Sequence, residues 1–303
     1  MFDTIIIGAG PTGLTAAIYA SRRMMKTLVI SKNIGGQVIW TSDIENYPGI
    51  KSIKGPNLAN NMLEQARSFG VEIRSEGVNK ITRLDNGNFA VGTNKGKYDT
   101  KTVIIAMGLA PKSLNLPNEK ELIGQGISYC ANCDGLFFKE KTVAVVGGGN
   151  AALDAAGVMS KIASLVYLIY RKSKFKGFEI LADRVKDKKN IKIMMDSEII
   201  EILGKNKLEK IKVINIVNQK TKALEVNGLF VEIGHEPETD LVIDLVKRDS
   251  KGQVIVDLSG KTSLAGMFAA GDVTQSEFKQ IIIGCGQGAV AALSAYKYLQ
   301  NRK

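Results

Sequence analysis

Two stretches of this 303-residue chain repeat one pattern, and few folds admit it. An apolar run at 3–7 leads into Gly8-Ala9-Gly10-Pro11-Thr12-Gly13. A helix-forming run over 14–23 and another apolar run at 27–30 follow. Further on, a strand-like run at 142–146 leads into Gly147-Gly148-Gly149-Asn150-Ala151-Ala152, then a helix over 150–162 and a strand over 165–169. Each is a βαβ unit with G-x-G-x-x-G or G-x-G-x-x-A at its first turn. The first Gly makes the bend, the second lets backbone approach a pyrophosphate, and the third small residue lets helix pack on strand. The free N–H groups at the helix start then face the phosphates. The pattern carries weight because it stands between a strand and a helix. The expected fold is α/β with two Rossmann-like dinucleotide-binding domains, each of three layers. Two such sites in one chain suggest two dinucleotides, with electron transfer between them.

The ribose ends of the two units differ. About 20 residues past the first glycine, an acid usually meets a ribose hydroxyl. Ser31 and Lys32 stand there instead. In the second unit the corresponding segment is Tyr170-Arg171-Lys172-Ser173-Lys174-Phe175-Lys176. Its charge suits a 2′-phosphate, and a solvated charge run is the bland alternative.

Between the two units lies Cys130-Ala131-Asn132-Cys133-Asp134-Gly135. Two thiols separated by two residues can cycle between dithiol and disulfide, one thiolate attacking and the other resolving the mixed disulfide. Asp134 could hold or deliver the proton that moves with the sulfur chemistry. The alternatives are a zinc knuckle or two unrelated core cysteines. A structural zinc site wants four ligands, whereas the rest of the chain offers only Cys285 and one histidine, His235. No metal is expected. A lone His in a turn is more often structural than catalytic.

Three cysteines do not make a secreted disulfide scaffold. The N-terminus lacks a basic segment with a long apolar run, and no apolar run reaches the ~20 residues of a membrane span. A cytoplasmic protein without membrane contact is expected. The net charge of +11 comes from scattered lysines, not from a basic platform with aromatics, so no nucleic-acid partner is expected. Such a surface would speed encounter with an acidic partner or a phosphorylated cofactor.

The remaining pattern predicts a helix over 56–69, strands over 71–74, 78–82 and 102–106, and a hairpin turn at 85–88. Strands are expected over 191–194, 198–203, 210–216 and 229–233, with a polar turn at 218–222. A short strand over 267–270 runs into Gly271-Asp272, and glycines at 284–288 open a helix over 289–300.

Taken together, these motifs resemble the low-molecular-weight thioredoxin reductases, and the match covers nearly the whole chain. It is carried by residues 8–13, by Gly35-Gly36-Gln37 with Glu45-Asn46-Tyr47-Pro48-Gly49, and by residues 130–135 and 147–152. Gly234-His235 with Pro237 and Ala269-Ala270-Gly271-Asp272-Val273 complete it. The run 278–283 is also similar to the flavoprotein subunit of alkyl hydroperoxide reductase. The resemblance implies FAD on the first unit, with contacts from Gly8, Gly10, Pro11, Thr12, Gly13, Ser31, Gly35, Gly36, Gln37, Asn46, Gly108, Gly271, Asp272, Lys279, Gln280 and Ile281. It implies a reduced nicotinamide nucleotide, NADPH over NADH, on Gly147, Gly149, Asn150, Ala151, Ala152, Arg171, Lys172 and Lys176. The nicotinamide domain with the CxxC, 112–238, is inserted in a discontinuous FAD domain, 1–111 plus 239–303. Cys130, Cys133 and Asp134 would be catalytic. By the family match, Cys133 lies nearer the flavin and Cys130 attacks the substrate disulfide. Leu136, Phe137 and Phe138 could dock a thioredoxin-like protein, with core packing the alternative, favoured for Phe138. A homodimer is implied. Other recipients would be a peroxiredoxin or a glutaredoxin-like protein, and another donor ferredoxin; an electron carrier with an inert CxxC is the non-enzymatic alternative. Lys279 stands where the family carries Arg, Met107 where it carries Thr, and Asn132 where it carries Thr or His.

Overall fold

The computed structural model describes residues 1–41 and 44–302. The chain opens with β1 (Phe2–Ala9), α1 (Pro11–Arg22), β2 (Thr27–Ile34), α2 (Gly55–Ser68), β3 (Glu72–Ser75), β4 (Val78–Arg83), β5 (Phe89–Thr93) and β6 (Lys97–Ile105). A short crossing strand, β7 (Ala110–Pro111), leads into a second body. That body contains β8 (Ile127–Ser128), α3 (Ala131–Asp134), β9 (Thr142–Val146), α4 (Asn150–Met159), β10 (Leu165–Ile169), α5 (Glu179–Lys186) and β11 (Ile191–Met194). It continues with β12 (Ser197–Leu203), β13 (Lys210–Asn215), β14 (Thr221–Glu225) and β15 (Gly228–Val231). The return crossing is β16 (His235–Glu236), and β17 (Met267–Ala269) and α6 (Ile281–Gln300) close the chain. Two compact units result: 1–110 with 236–303, and 111–235.

In the first unit, seven of the described strands form one sheet in the order β3-β2-β1-β6-β5-β4, with β17 also on β6. β3, β2, β1, β6 and β17 run parallel, while the β4–β5 hairpin is antiparallel. Side chains alternate across a sheet with period two. Thus Ile6, Val29 and Ile104 face α1, α2 and α6, while Ile5, Leu28 and Val103 face the layer holding Val242, Val246 and Val254. Both faces are covered, which is why the strands read as continuous apolar runs.

The second unit has its own parallel sheet, β11-β10-β9-β15-β8. Val143, Val145, Val166 and Leu168 pack against α4 and α5, with Ala152, Leu153, Ala182 and Val185 facing them. On the other face, Ala144, Val146 and Ile169 meet Ile199, Ile202, Ile211 and Leu224 of the antiparallel β12-β13-β14 sheet. The layers are therefore helices, parallel sheet and antiparallel sheet.

Three expectations are corrected. The last helix begins at Ile281 instead of 289, so its glycines lie inside it. They are there for close packing on α1: a Cβ on Gly288 would lie 2.3 Å from the Thr12 carbonyl oxygen, and one on Gly284 2.5 Å from Thr12 Oγ1. The 150–162 helix ends at Met159 and continues only as a turn. The polar turn at 218–222 gives way to a strand from Thr221, because Leu224 finds a buried place opposite Ile211. Helix α5 was not anticipated: its apolar face is short, with Ala182 and Val185 buried.

Candidate functional site

Cys130 and Cys133 form a disulfide across the first turn of α3. Cys130 is the N-cap of that helix, and its sulfur accepts a hydrogen bond from the Cys133 backbone N–H at 3.1 Å. Cys130 is buried and Cys133 exposed. The Ser128 hydroxyl, buried at the end of β8, donates to Asp134 Oδ2 at 2.7 Å and accepts from the Cys130 N–H at 3.0 Å. One hydroxyl thus ties the acid to the backbone of Cys130. Behind it, the carboxylate of Glu119, itself buried, accepts from the Tyr129 hydroxyl at 2.8 Å and from the Leu114 N–H at 2.8 Å. Burial and this carboxylate push the Tyr129 hydroxyl well above its ordinary pKa, so it stays a donor and anchors the residue before Cys130.

Just past Asp134, Leu136 and Phe137 are 76% and 74% exposed. Phe138 turns inward, edge-on to Phe230 with ring centres 5.4 Å apart. Gly135 packs against Met159 and Ile162, beyond the C-terminal end of α4. The second glycine turn meets the other end of this ten-residue helix.

In the first unit the glycine turns fold against each other. A Cβ on Gly8 would strike the Ala106 carbonyl oxygen at 2.2 Å, and one on Gly36 would lie 3.0 Å from Gly10 Cα. Gly10 and Gly108 themselves face open space: a Cβ on Gly10 would meet nothing nearer than 3.8 Å, and one on Gly108 nothing within 4 Å. A cradle of this kind leaves room for a ligand at the backbone. Pro11 opens α1, Gly13 is buried behind the turn, and Thr12 in the first turn of α1 packs against Gly271 and Gly284. Gln37 Nε2 donates to the Leu109 carbonyl at 2.7 Å, and Asn46 Nδ2 donates to Gln280 Oε1 at 3.1 Å. Ser31 spends its hydroxyl proton on the Asn33 carbonyl at 2.8 Å. Ile281 begins α6.

Lys279 donates through Nζ to the carbonyls of Asp272 (3.0 Å) and Thr274 (2.7 Å), bracing the turn that carries Asp272. Burial raises the Asp272 pKa, with Lys279 pulling the other way, and burial lowers that of Lys279. The Gly271 N–H donates to Gln287 Oε1 at 2.9 Å. Cys285 sits beside Thr15 and Tyr47; burial raises its pKa, and Tyr47 is pushed up to about 12 by burial and by the cysteine.

In the second unit, Gly147 turns so tightly that a Cβ would lie 2.1 Å from the Glu232 carbonyl oxygen, while nothing lies within 4 Å of one on Gly149. Asn150 and Ala151 start α4, and Ala152 is buried under the turn. Arg171, Lys172 and Lys176 are exposed at the end of β10. Among the described residues none of them has an ion-pair partner. Glu232 is pushed up to about 7 by burial and by Asp154. His235 is half-buried, and burial lowers its pKa, which keeps it neutral.

The residues expected at the first glycine turn gather in one unit, and those of the second turn in the other with the cysteines. Ser128, Glu119 and Gln287 were missed. For Gln287 a signal existed: it is the one long polar side chain in the small and apolar run 281–293. For Ser128 and Glu119 the sequence offers only ordinary polar residues.

A disulfide beside an acid and two glycine-turn crevices define a nucleotide-linked disulfide oxidoreductase. The sequence matches the pyridine nucleotide-disulphide oxidoreductase family over residues 2–288, and the chain belongs to that family. Within it, the resemblance to low-molecular-weight thioredoxin reductases is borne out. The chain is 37% identical to thioredoxin reductase of Listeria monocytogenes, over 100% of this chain and 95% of that protein. It is 36% identical to thioredoxin reductase of Bacillus subtilis, over 99% and 96%. The crystal structure of Lactococcus lactis thioredoxin reductase superposes with a TM-score of 0.92 at 36% identity, covering 99% of this chain and 100% of that one.

Proposed function

We propose that the protein is an FAD-dependent thioredoxin-disulfide reductase that takes electrons from NADPH and delivers them through the Cys130–Cys133 pair to a thioredoxin-like protein. The observation that carries this reading is the disulfide on α3 with Asp134 held beside it, in a chain with two dinucleotide crevices. The names of its close relatives support the substrate class.

FAD would be held in the first unit by Gly8, Gly10, Pro11, Thr12, Gly13, Gly35, Gly36, Gln37, Asn46, Gly108, Gly271, Asp272, Lys279, Gln280 and Ile281, with Ser31 at the ribose end. The open faces of Gly10 and Gly108 fit such a group. When bound, it supplies the two-electron chemistry that links a nicotinamide to a disulfide. NADPH would sit on Gly147, Gly149, Asn150, Ala151 and Ala152, with Arg171, Lys172 and Lys176 around the 2′-phosphate.

Two electrons and two protons convert the disulfide to a dithiol. Cys130 at the helix N-cap receives an N–H bond that favours its thiolate. One thiolate of the pair attacks the substrate disulfide, one substrate sulfur leaves as thiolate, and the other cysteine closes the ring by displacing the second. Asp134 holds and returns the proton; Ser128 orients it. Exposed Leu136 and Phe137 offer the partner an apolar footing next to the cysteines. We read the protein as a cytoplasmic homodimer. No helix among the described residues is long and apolar enough to cross a membrane.

The test compares kcat/KM for NADPH and NADH with oxidised thioredoxin as acceptor, in the wild type and in Arg171→Ala. A hydrogen bond to a charged group is worth ~1.5–3 kcal/mol, roughly ten- to a hundredfold. NADPH should be preferred, mainly through Arg171, and less sharply than with three arginines because Lys172 and Lys176 lack the planar fork. Equal or better use of NADH by the wild type would refute the nucleotide assignment.

A further inference from the structure

The middle residue of the second glycine turn has a job that the dinucleotide pattern does not assign. Gly148 is not at a left-handed φ, so the turn itself does not demand glycine there. The first turn of this chain carries Ala9 in the same place, fully accommodated. What forbids a side chain at 148 is the ring of Tyr170. A Cβ on Gly148 would lie 2.4 Å from Tyr170 Cζ and 2.5 Å from both Cδ atoms, so the ring lies flat on the glycine. Phe175 stacks on the ring's neighbourhood in turn, centroids 5.8 Å apart and planes 19° from parallel.

The same glycine also receives the far end of the basic loop. Its carbonyl accepts from the Lys176 N–H at 2.8 Å and the Gly177 N–H at 3.1 Å, while Asn150 Oδ1 accepts from the Phe178 N–H at 2.8 Å. At the near end, the Tyr170 carbonyl accepts from Ser197 N–H at 2.9 Å. The loop 171–176 is therefore pinned at its far end to the glycine turn and at its near end to the start of β12, with an aromatic pair as its inner support. Its cations project outward without ion-pair partners among the described residues. Holding flexible cations on a fixed backbone lowers the ordering cost of meeting a phosphate.

We propose that Tyr170, which lies on Gly148 and stacks with Phe175, is a positioning residue that sets Arg171, Lys172 and Lys176 around a 2′-phosphate and so determines nucleotide preference. This rests on the reading that the crevice takes a pyridine nucleotide. The ring acts through packing, so Phe can replace Tyr but a small side chain cannot. Gly148→Ala must displace the ring, because the methyl would lie 2.4 Å from Tyr170 Cζ.

The test is isothermal titration of the purified holoprotein with adenosine 2′,5′-bisphosphate and with AMP, which differ by the 2′-phosphate alone. The wild type should prefer the bisphosphate by about tenfold or more. Tyr170→Ala and Gly148→Ala should each lower that ratio about three- to tenfold, the range expected for losing an aromatic stack, with AMP affinity within about twofold. Tyr170→Phe should keep the wild-type ratio. Adding Gly148→Ala to Tyr170→Ala should change the ratio by less than about twofold, since the two act through one contact. NADPH-over-NADH selectivity in turnover should follow the same order. A wild-type ratio in Tyr170→Ala, or independent effects of the two substitutions, would overturn the inference. Should Tyr170→Ala not fold, Gly148→Ala against Tyr170→Phe carries the same comparison. A wild type that binds both probes equally refutes the 2′-phosphate reading itself and leaves Tyr170 nothing to position.

Discussion

Asp134→Asn isolates the proton function from the architecture. The carboxylate accepts a 2.7 Å hydrogen bond from the Ser128 hydroxyl. An asparagine oxygen can accept the same bond, so the loop and the Cys130 N–H contact with Ser128 should persist. What disappears is a group that can take up a proton. General acid–base help is typically worth ~10²–10⁴ in rate. Asp134 is only half-buried, so water can partly substitute for it, which places the loss near about 10²-fold. Ser128→Ala makes the complementary change: the acid stays but loses its donor, and the buried Cys130 N–H loses its acceptor. An unsatisfied buried group costs about 1–3 kcal/mol, so this variant should lose stability together with roughly tenfold in rate. The assay is anaerobic rapid mixing of the pre-reduced protein with oxidised thioredoxin, following thiol formation in a single turnover, with bound FAD measured separately. Asp134→Asn within about twofold of wild type, at full FAD content, would show that the carboxylate is structural.

Gly288→Ala should destabilise the first unit by about 1–3 kcal/mol or more, because the methyl meets a backbone oxygen that cannot yield; unfolding melts at a wild-type midpoint would contradict the α1–α6 packing argument. Cys285→Ala should retain most turnover, since this thiol is buried beside Thr15 and Tyr47 as a small packing group; complete loss of disulfide reduction with FAD still bound would make it a redox group. Glu232, raised from 4.5 to about 7, binds its proton more tightly when folded. Its contribution to stability is therefore present below pH ~4.5 and lost as pH rises through ~7. Glu232→Gln should match the wild type at pH ~4.5 and exceed it by about 1–3 kcal/mol at pH 8 in denaturant unfolding; a constant difference across pH would be inconsistent with that shift.

The architecture was legible where local pattern and burial agree. Apolar runs such as Ile5-Ile6-Ile7 and Val143-Ala144-Val145 are strands covered on both faces, and each ends in a glycine turn whose steric need is local. The helix α6 was misplaced because glycine disfavours helix interiors by propensity, whereas here Gly284 and Gly288 serve contact with Thr12, at the other end of the chain. The cysteine pair was legible from spacing alone, but its surroundings were not. Ser128 reaches Asp134 only because the end of β8 meets the last residue of the short helix α3, and Glu119 reaches Tyr129 only through the fold of the 113–119 loop. Likewise the basic run 170–176 was visible as charge, while the Tyr170 ring lying on Gly148 is a contact between segments more than twenty residues apart.

The central claim is that electrons leave this protein through Cys130 and Cys133. The most direct measurement reduces the FAD-loaded protein with NADPH without oxygen, adds oxidised thioredoxin, and follows flavin absorbance alongside thioredoxin thiols. The wild type should regain its flavin absorbance as two thiols appear per thioredoxin. Cys130→Ser and Cys133→Ser should bleach with NADPH and then remain reduced, because the dithiol is the route to a protein disulfide. Rapid thioredoxin reduction by either single variant, or a wild type that bleaches and is reoxidised by no disulfide protein, would contradict the account.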